Sequence, residues 1–157
     1  MKKLIEESRR WKSQAEDDLL FVTWIRTEHG FYNKVCFMCQ QAGEKMLKAC
    51  LYAAGRRKVW GHSLGEMVIE LNGFDAQFAS IDSAAKRLDR FYISARYPNG
   101  LPGLSPFQAY SKDDSDDAWR DLNAIFTVCR QFLFQALAPS ETSKPPRRTP
   151  TIGGHPQ

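Results

Sequence analysis

Between Val35 and Ala53 the apolar residues Val35, Cys39, Ala42, Met46, Ala49 and Ala53 return at three- and four-residue steps. That spacing keeps them on one face of an α-helix. The same step governs most of the chain, and no strand-like alternation stands out. The periodicity predicts a first helix from about Leu4 to Thr27, with Leu4, Trp11, Ala15, Val22 and Ile25 as its stripe and Leu19 and Leu20 widening it. His29-Gly30 is expected to end it. The second helix opens near Asn33, a suitable N-cap, and closes at Gly55. Gly43 inside it costs about 1 kcal/mol against alanine, a cost that close packing by a neighbour offsets.

Three further helices follow from caps and breakers. Ser63-Leu64-Gly65-Glu66 reads as a capping box opening a short third helix, and Asn72-Gly73 closes it. A fourth helix is predicted from Asp75 to Ala95 with Phe78, Ile81, Ala85, Leu88, Tyr92 and Ala95 on its buried face. Pro98 forces its end, since the residue before a proline is pushed out of the helical region. Residues 96–110 then read as a loop. The fifth helix starts after Ser111, where Asp113, Asp114, Asp116 and Asp117 suit the positive end of the helix dipole. Its buried face is Ala118, Leu122, Ile125, Cys129, Phe132 and Ala136. The fold class is all-α, an antiparallel bundle of four to five helices over residues 1–137. Residues 138–157, rich in proline, threonine and glycine, are expected to be a disordered tail.

The totals narrow the function. The chain has 157 residues and a formal charge of +4. Lys144, Arg147 and Arg148 against Glu141 place +2 of that in the tail. Residues 1–137 are therefore almost neutral, without the broad basic footprint of a duplex DNA binder. No apolar run approaches the ~20 residues of a membrane span, and Met1–Glu7 has no signal-peptide core, so a cytoplasmic protein is expected. Cys36, Cys39, Cys50 and Cys129 fall on helices rather than in loops, which favours reduced core thiols over a disulfide framework.

Four constellations bear on chemistry. Cys36-x-x-Cys39 has the spacing of a zinc or redox pair, but no second pair completes a metal site, and the two read as small core residues. The acidic cluster at 113–117 is explained by its place in a first helical turn. Arg56-Arg57-Lys58-Val59-Trp60-Gly61-His62 reads either as a solvated basic loop or as a phosphate-facing patch beside the free amides of a helix N-terminus. Arg96 follows a long helix and lies close in sequence to Arg90 and Lys86. A guanidinium fork suits phosphate, and Tyr97 can stack on a base; equally, cations near a helix C-terminus favour its dipole.

The run Cys36-Phe37-Met38-Cys39-Gln40-Gln41-Ala42-Gly43-Glu44-Lys45-Met46-Leu47-Lys48-Ala49, then Gly61-His62-Ser63-Leu64, then Ala95-Arg96-Tyr97-Pro98-Asn99, then the acidic start of the last helix, resembles the HEPN domains (higher eukaryotes and prokaryotes nucleotide-binding). The likeness covers about residues 8–137 and is to the bacterial and sacsin-like branch with an Ala-Arg-Tyr-Pro motif. It implies a helical bundle, homodimerisation and a nucleotide- or RNA-related role, often beside a minimal nucleotidyltransferase in toxin–antitoxin pairs. Other members are metal-independent ribonucleases with an Arg-x(4–6)-His motif. Here Leu101, Pro102 and Gly103 stand where that histidine would follow Arg96. Formal matches are Arg56 and Arg57 with His62, and Arg148 with His155. Asn99 replaces the aspartate usual after Arg-Tyr-Pro.

These readings combine into an expectation of a non-catalytic dimeric module, without cofactor or metal, that binds a nucleotide (ATP or GTP) or a partner such as a nucleotidyltransferase. Arg96 and Tyr97 lead the expected site, with Lys45, Lys48, Arg90 and His62 beside them. Lys45 and Lys48 share a helical face, being three residues apart. The alternatives are a ribonuclease using Arg57 and His62, since an imidazole suits proton transfer at phosphate, and a purely structural interaction domain.

Overall fold

The computed structural model describes residues 1–28 and 30–138. The expected tail, but for Ala138, lies outside them, as do His29 and the pair Arg148 and His155. Helix α1 spans Lys2–Ile25 and α2 spans Tyr32–Ala53. After them come α3 (Leu64–Asn72), a 3-10 segment (Ala76–Ile81), α4 (Asp82–Asp89), α5 (Phe91–Ser94), a 3-10 turn (Pro98–Gly100), α6 (Pro106–Ala109) and α7 (Lys112–Ala136). The described residues are all-helical without strands. The four-to-five-helix expectation holds in its long elements, with α1, α2 and α7 as the frame.

Helix α2 is the centre of the bundle. It packs most extensively against α1 and α7 and also meets α3, α4, α5 and α6. Val35, Cys36, Cys39, Ala42, Met46, Leu47, Ala49, Cys50 and Leu51 are all buried, which is the near-continuous burial of a helix enclosed by neighbours. Across the interfaces stand Ala15, Leu19 and Val22 of α1, Leu64 and Leu71 of α3, and Leu122, Ile125, Phe126 and Cys129 of α7. The cysteines belong to this core. Burial pushes the Cys36 thiol up to about 12, and raises Cys39 and Cys50 well above the ordinary thiol range. Thiols so buried are inert at neutral pH. At the surface, Arg130 Nε donates to Glu16 at 2.9 Å and ties α7 to α1; that guanidinium holds the Glu16 carboxyl below its usual range.

Several expectations need correction. Asn33 does not cap α2; Phe31 holds the cap position, and Asn33 is buried with its Nδ2 donating to Ala95 O at 3.0 Å. The asparagine thus joins the first turn of α2 to the residue before Arg96. The predicted fourth helix is three pieces. The step from Phe78 to Ile81 is three residues, which suits a 3-10 turn as well as an α-turn, so apolar spacing alone reads through the breaks at Ile81 and Arg90. Leu20 and Ala136 are exposed rather than buried. The loop at 96–110 contains α6, with its own box between Ser105 and Gln108. The last helix starts as expected: Ser111 and Asp114 exchange both bonds of a capping box.

Gly43 sits where α2 meets three neighbours. A Cβ built there lies 2.8 Å from Leu64 Cδ2, 3.6 Å from Leu122 Cδ1 and 3.7 Å from Leu88 Cδ1. Its helix-propensity cost is therefore offset by close approach of α3, α4 and α7. Gly43→Val is expected to lower the urea unfolding midpoint, with a loss of about 1–3 kcal/mol from overpacking.

Candidate functional site

Midway along α2, Glu44 draws three groups around one carboxylate. It is buried, and its side chain is 8% exposed. Lys48, one turn on and equally buried, donates from Nζ at 2.8 Å. Gln40, one turn back, donates from Nε2 at 3.3 Å. His62 approaches with Nδ1 at 3.2 and 3.3 Å from the two carboxylate oxygens. The α2 sequence places Gln40, Glu44 and Lys48 at i, i+4 and i+8, which stacks them on one face. Gln40 Nε2 also donates to the His62 carbonyl at 3.0 Å, so the loop carrying His62 is held by side chain and backbone. With Nδ1 facing a carboxylate, the neutral ring carries its proton there and leaves Nε2 as an acceptor. Nε2 has no protein hydrogen bond among the described residues.

The His62 ring lies on Tyr92, with centroids 4.8 Å apart and planes within 17°. Tyr92 leads to Arg96 one turn later. Arg96 Nε donates to the Tyr92 carbonyl at 2.7 Å, and its guanidinium carbon is 4.7 Å from the Tyr92 ring, 4.7 Å from Phe37 and 5.0 Å from Tyr97. Three aromatic rings and one backbone carbonyl thus hold the fork, at the distances of cation–π attraction. No carboxylate pairs with Arg96 among the described residues. Asn33 fixes the adjacent Ala95 carbonyl. Tyr97 adopts the extended conformation its neighbour Pro98 demands, with φ −118° and ψ 133°, and stands 50% exposed.

The structure brings Arg96, Tyr97 and His62 into one cluster through Tyr92. Lys48 meets this cluster only through the Glu44 carboxylate it shares with His62, and the other expected residues part from it. Lys45 is paired with Asp18 of α1 and Lys48 with Glu44, and the Lys48 ammonium also lies 5.2 Å from the Trp11 ring. Their shared helical face therefore turns toward α1. Arg90 is exposed without an ion pair among the described residues. Arg57 is exposed, and among the described residues no contact joins it to His62. Lys86 pairs with Asp82 at 2.7 Å.

The amides at the start of α3 are already filled. Asp89 Oδ1 accepts from Leu64 N at 2.7 Å, and Asp89 Oδ2 accepts from Gly65 N at 3.0 Å and Ser63 Oγ at 2.8 Å. An internal carboxylate occupies the anion position of that N-terminus, which corrects the reading of a phosphate patch there. The capping box is half formed: Ser63 Oγ accepts from Glu66 N at 3.2 Å, while Asp89, not Glu66, is the carboxylate that meets this N-terminus, at the next two amides and the Ser63 hydroxyl. Sequence reasoning missed Glu44, Gln40, Phe37, Tyr92 and Asp89 as parts of the site. The one signal available was the polar series Gln40, Glu44, Lys48 inside an otherwise apolar helix, together with the four-residue step from Tyr92 to Arg96.

The chain is thus a small α-helical bundle in which Tyr92 joins an arginine held by rings, without a carboxylate partner among the described residues, to a histidine held by a carboxylate. The chain belongs to the HEPN domain family, whose model matches residues 8–132. The Methanocaldococcus jannaschii protein named "Putative toxin MJ1304" is 25% identical over 138 residues, which span 82% of this chain and 90% of that protein. The crystal structure of TT1696 from Thermus thermophilus is similar with a TM-score of 0.75 at 29% identity, over 81% of this chain and 98% of that one. The crystal structure of ST0689, an archaeal HEPN homologue, gives 0.63 at 27% identity, over 83% and 98%.

Removing the Glu44 carboxylate strands the buried Lys48 ammonium and frees His62. Glu44→Ala is expected to cost about 3 kcal/mol in chemical denaturation, as for a broken buried pair. The double variant Glu44→Leu, Lys48→Leu is expected to recover most of that loss, because it removes the buried charge with its partner.

Proposed function

We propose that the chain is a non-catalytic, dimeric HEPN module that binds the phosphate of a nucleotide, ATP or GTP, through Arg96. The observation that carries this reading is a guanidinium with its Nε and its faces occupied and no acidic partner. Such an arginine is pre-organised, so little side-chain entropy is lost when an anion meets its free Nη donors. Tyr97, half exposed against Arg96, offers a face to the base. His62 Nε2 offers a hydrogen bond beside it, and Arg90 adds an unpaired cation nearby in the chain. Lys45 and Lys48, committed to Asp18 and Glu44, frame the site rather than touch the ligand. A minimal nucleotidyltransferase is the protein partner this reading carries over from the family.

Isothermal titration with ATP and GTP, without and with magnesium, tests it. Arg96→Ala is expected to abolish saturable binding. Arg96→Lys, which keeps charge but not the fork, is expected to weaken it about tenfold or more, the loss of one charge-assisted bond. Unchanged affinity in both variants rejects Arg96 as the phosphate group. Absence of binding to either nucleotide by the unmodified protein would instead assign the domain to a protein partner alone.

A second reading, a metal-independent ribonuclease, is favoured by one observation: His62 is oriented by Glu44 as a proton-transferring imidazole is in many hydrolytic sites. The similarity to a protein named as a toxin agrees with it. The cation beside His62 is then Arg96 rather than Arg57. This reading predicts cleavage of RNA in the presence of chelator, lost in His62→Ala; equal cleavage by that variant rules it out.

A further inference from the structure

Helix α1 carries two stripes. One is its core stripe, in which Ala15, Leu19 and Val22 are buried. The other points away from the bundle: Arg10, Ser13, Asp17, Leu20 and Trp24 follow at steps of three, four, three and four residues, and all of them are exposed. That alternation is the seam of a helix that meets a second helix, yet among the described residues nothing covers it. Its C-terminal half is apolar. Leu20 is 72% and Trp24 60% exposed, and Phe21, half-exposed beside them, has its ring centroid 6.1 Å from that of Trp24. An uncovered apolar patch of this kind marks an interaction site. The N-terminal half is concave. Arg10, Trp11, Ser13, Gln14 and Asp17, with Lys45 of α2, line a hollow of about 770 Å³ there. Asp17 has no ion pair, and the Trp24 indole N–H no acceptor, among the described residues. Residues 13–25 contain no lysine or arginine, so the apolar half offers nothing to a polyanion or an anionic lipid surface.

We infer that the outward face of α1 docks antiparallel on the same face of a second copy of this chain, with Trp24 of each copy seated in the hollow around Ser13 of the other. The inference rests on the dimeric part of the reading above and gives it a surface; the Arg96 cluster takes no part in it. Protruding side chain and hollow lie on one helix, about 16 Å apart along its axis. A twofold axis passing α1 level with Asp18 and Leu19 therefore satisfies both at once. It sets Trp24 against the second copy's Ser13 and Leu20 against its Asp17, and the symmetry repeats each pair in reverse. In such a seam a side chain enters a hole formed by four residues of the facing helix. Around Ser13 those are Arg10, Ser13, Gln14 and Asp17, all of which line the hollow. The Arg10 guanidinium then meets the face of the Trp24 ring, and the Asp17 carboxylate accepts from its indole N–H. A second copy is the partner that fits because the seam is complementary to itself.

Sedimentation equilibrium of the full chain over a concentration series tests this. Trp24→Ala is expected to raise the dimer dissociation constant by at least about thirtyfold, as for a central aromatic anchor. Ser13→Trp is expected to raise it likewise, because the new ring fills the hole; an association driven by apolar area alone would be strengthened by that change. The double variant Trp24→Ala, Ser13→Trp exchanges knob and hole and is expected to recover most of the loss. Both positions are exposed, so the variants are expected to keep the helical circular dichroism of the unmodified protein. An unchanged dissociation constant in both single variants overturns α1 as the docking face and leaves the dimeric reading standing. A double variant no tighter than the single ones overturns the seating of Trp24 at Ser13. An unmodified chain that stays monomeric throughout the series overturns the docking face and the dimeric reading together.

Discussion

The buried Glu44 carboxylate is the interaction on which the rest of the site depends. An unpaired carboxylate at that depth would carry a large desolvation cost. Here the charge is met by the Lys48 ammonium at 2.8 Å, the Gln40 amide and the His62 ring. The first two come from the same helix face. The third comes from the loop before α3, so satisfying the charge also decides where that loop lies. Once His62 is fixed, Tyr92 has its stacking partner, and the Tyr92 carbonyl is placed to receive Arg96.

Cations are sorted by their partners more than by their number. The domain carries many lysines and arginines, yet most are spent on structure: Arg26 on Asp116, Arg87 on Asp121, Arg130 on Glu16, Lys45 on Asp18. The Arg87 fork takes both oxygens of Asp121 at 2.8 and 2.6 Å and joins α4 to α7. Arg96 differs because its neighbours are rings and a carbonyl. Rings hold a guanidinium in place without neutralising it, so its charge stays available. Asp89 shows the opposite case, an anion that fills the amides of α3 and closes that end to any other.

The long helices were legible because each obeys a single period over many turns and ends at a cap or breaker that acts locally. Ser111 with Asp114, and Pro98 after Tyr97, are examples in which sequence neighbours supply the whole interaction. The fourth helix was misread because its three pieces share a spacing that both helix types accept. Asn33 was misread because a cap and a buried cross-link use the same amide, and only the neighbour 62 positions away, Ala95, decides between them. At the site, Arg96 and Tyr97 stood out through their motif, whereas Phe37 and Glu44 lie within a helix that reads as core.

The amino-acid sequence by itself determined an all-helical domain of the HEPN family, most residues of its core, and the Ser111–Asp114 box that opens its last long helix. These follow from local propensity and from periodicity, which need no knowledge of distant neighbours. Tertiary structure alone decided which charges are free. Pairing is a matter of a few ångströms between residues tens of positions apart, and it is pairing that withdraws Lys45 and Lys48, fills the α3 amides with Asp89, turns His62 onto Tyr92, and leaves the Arg96 fork open.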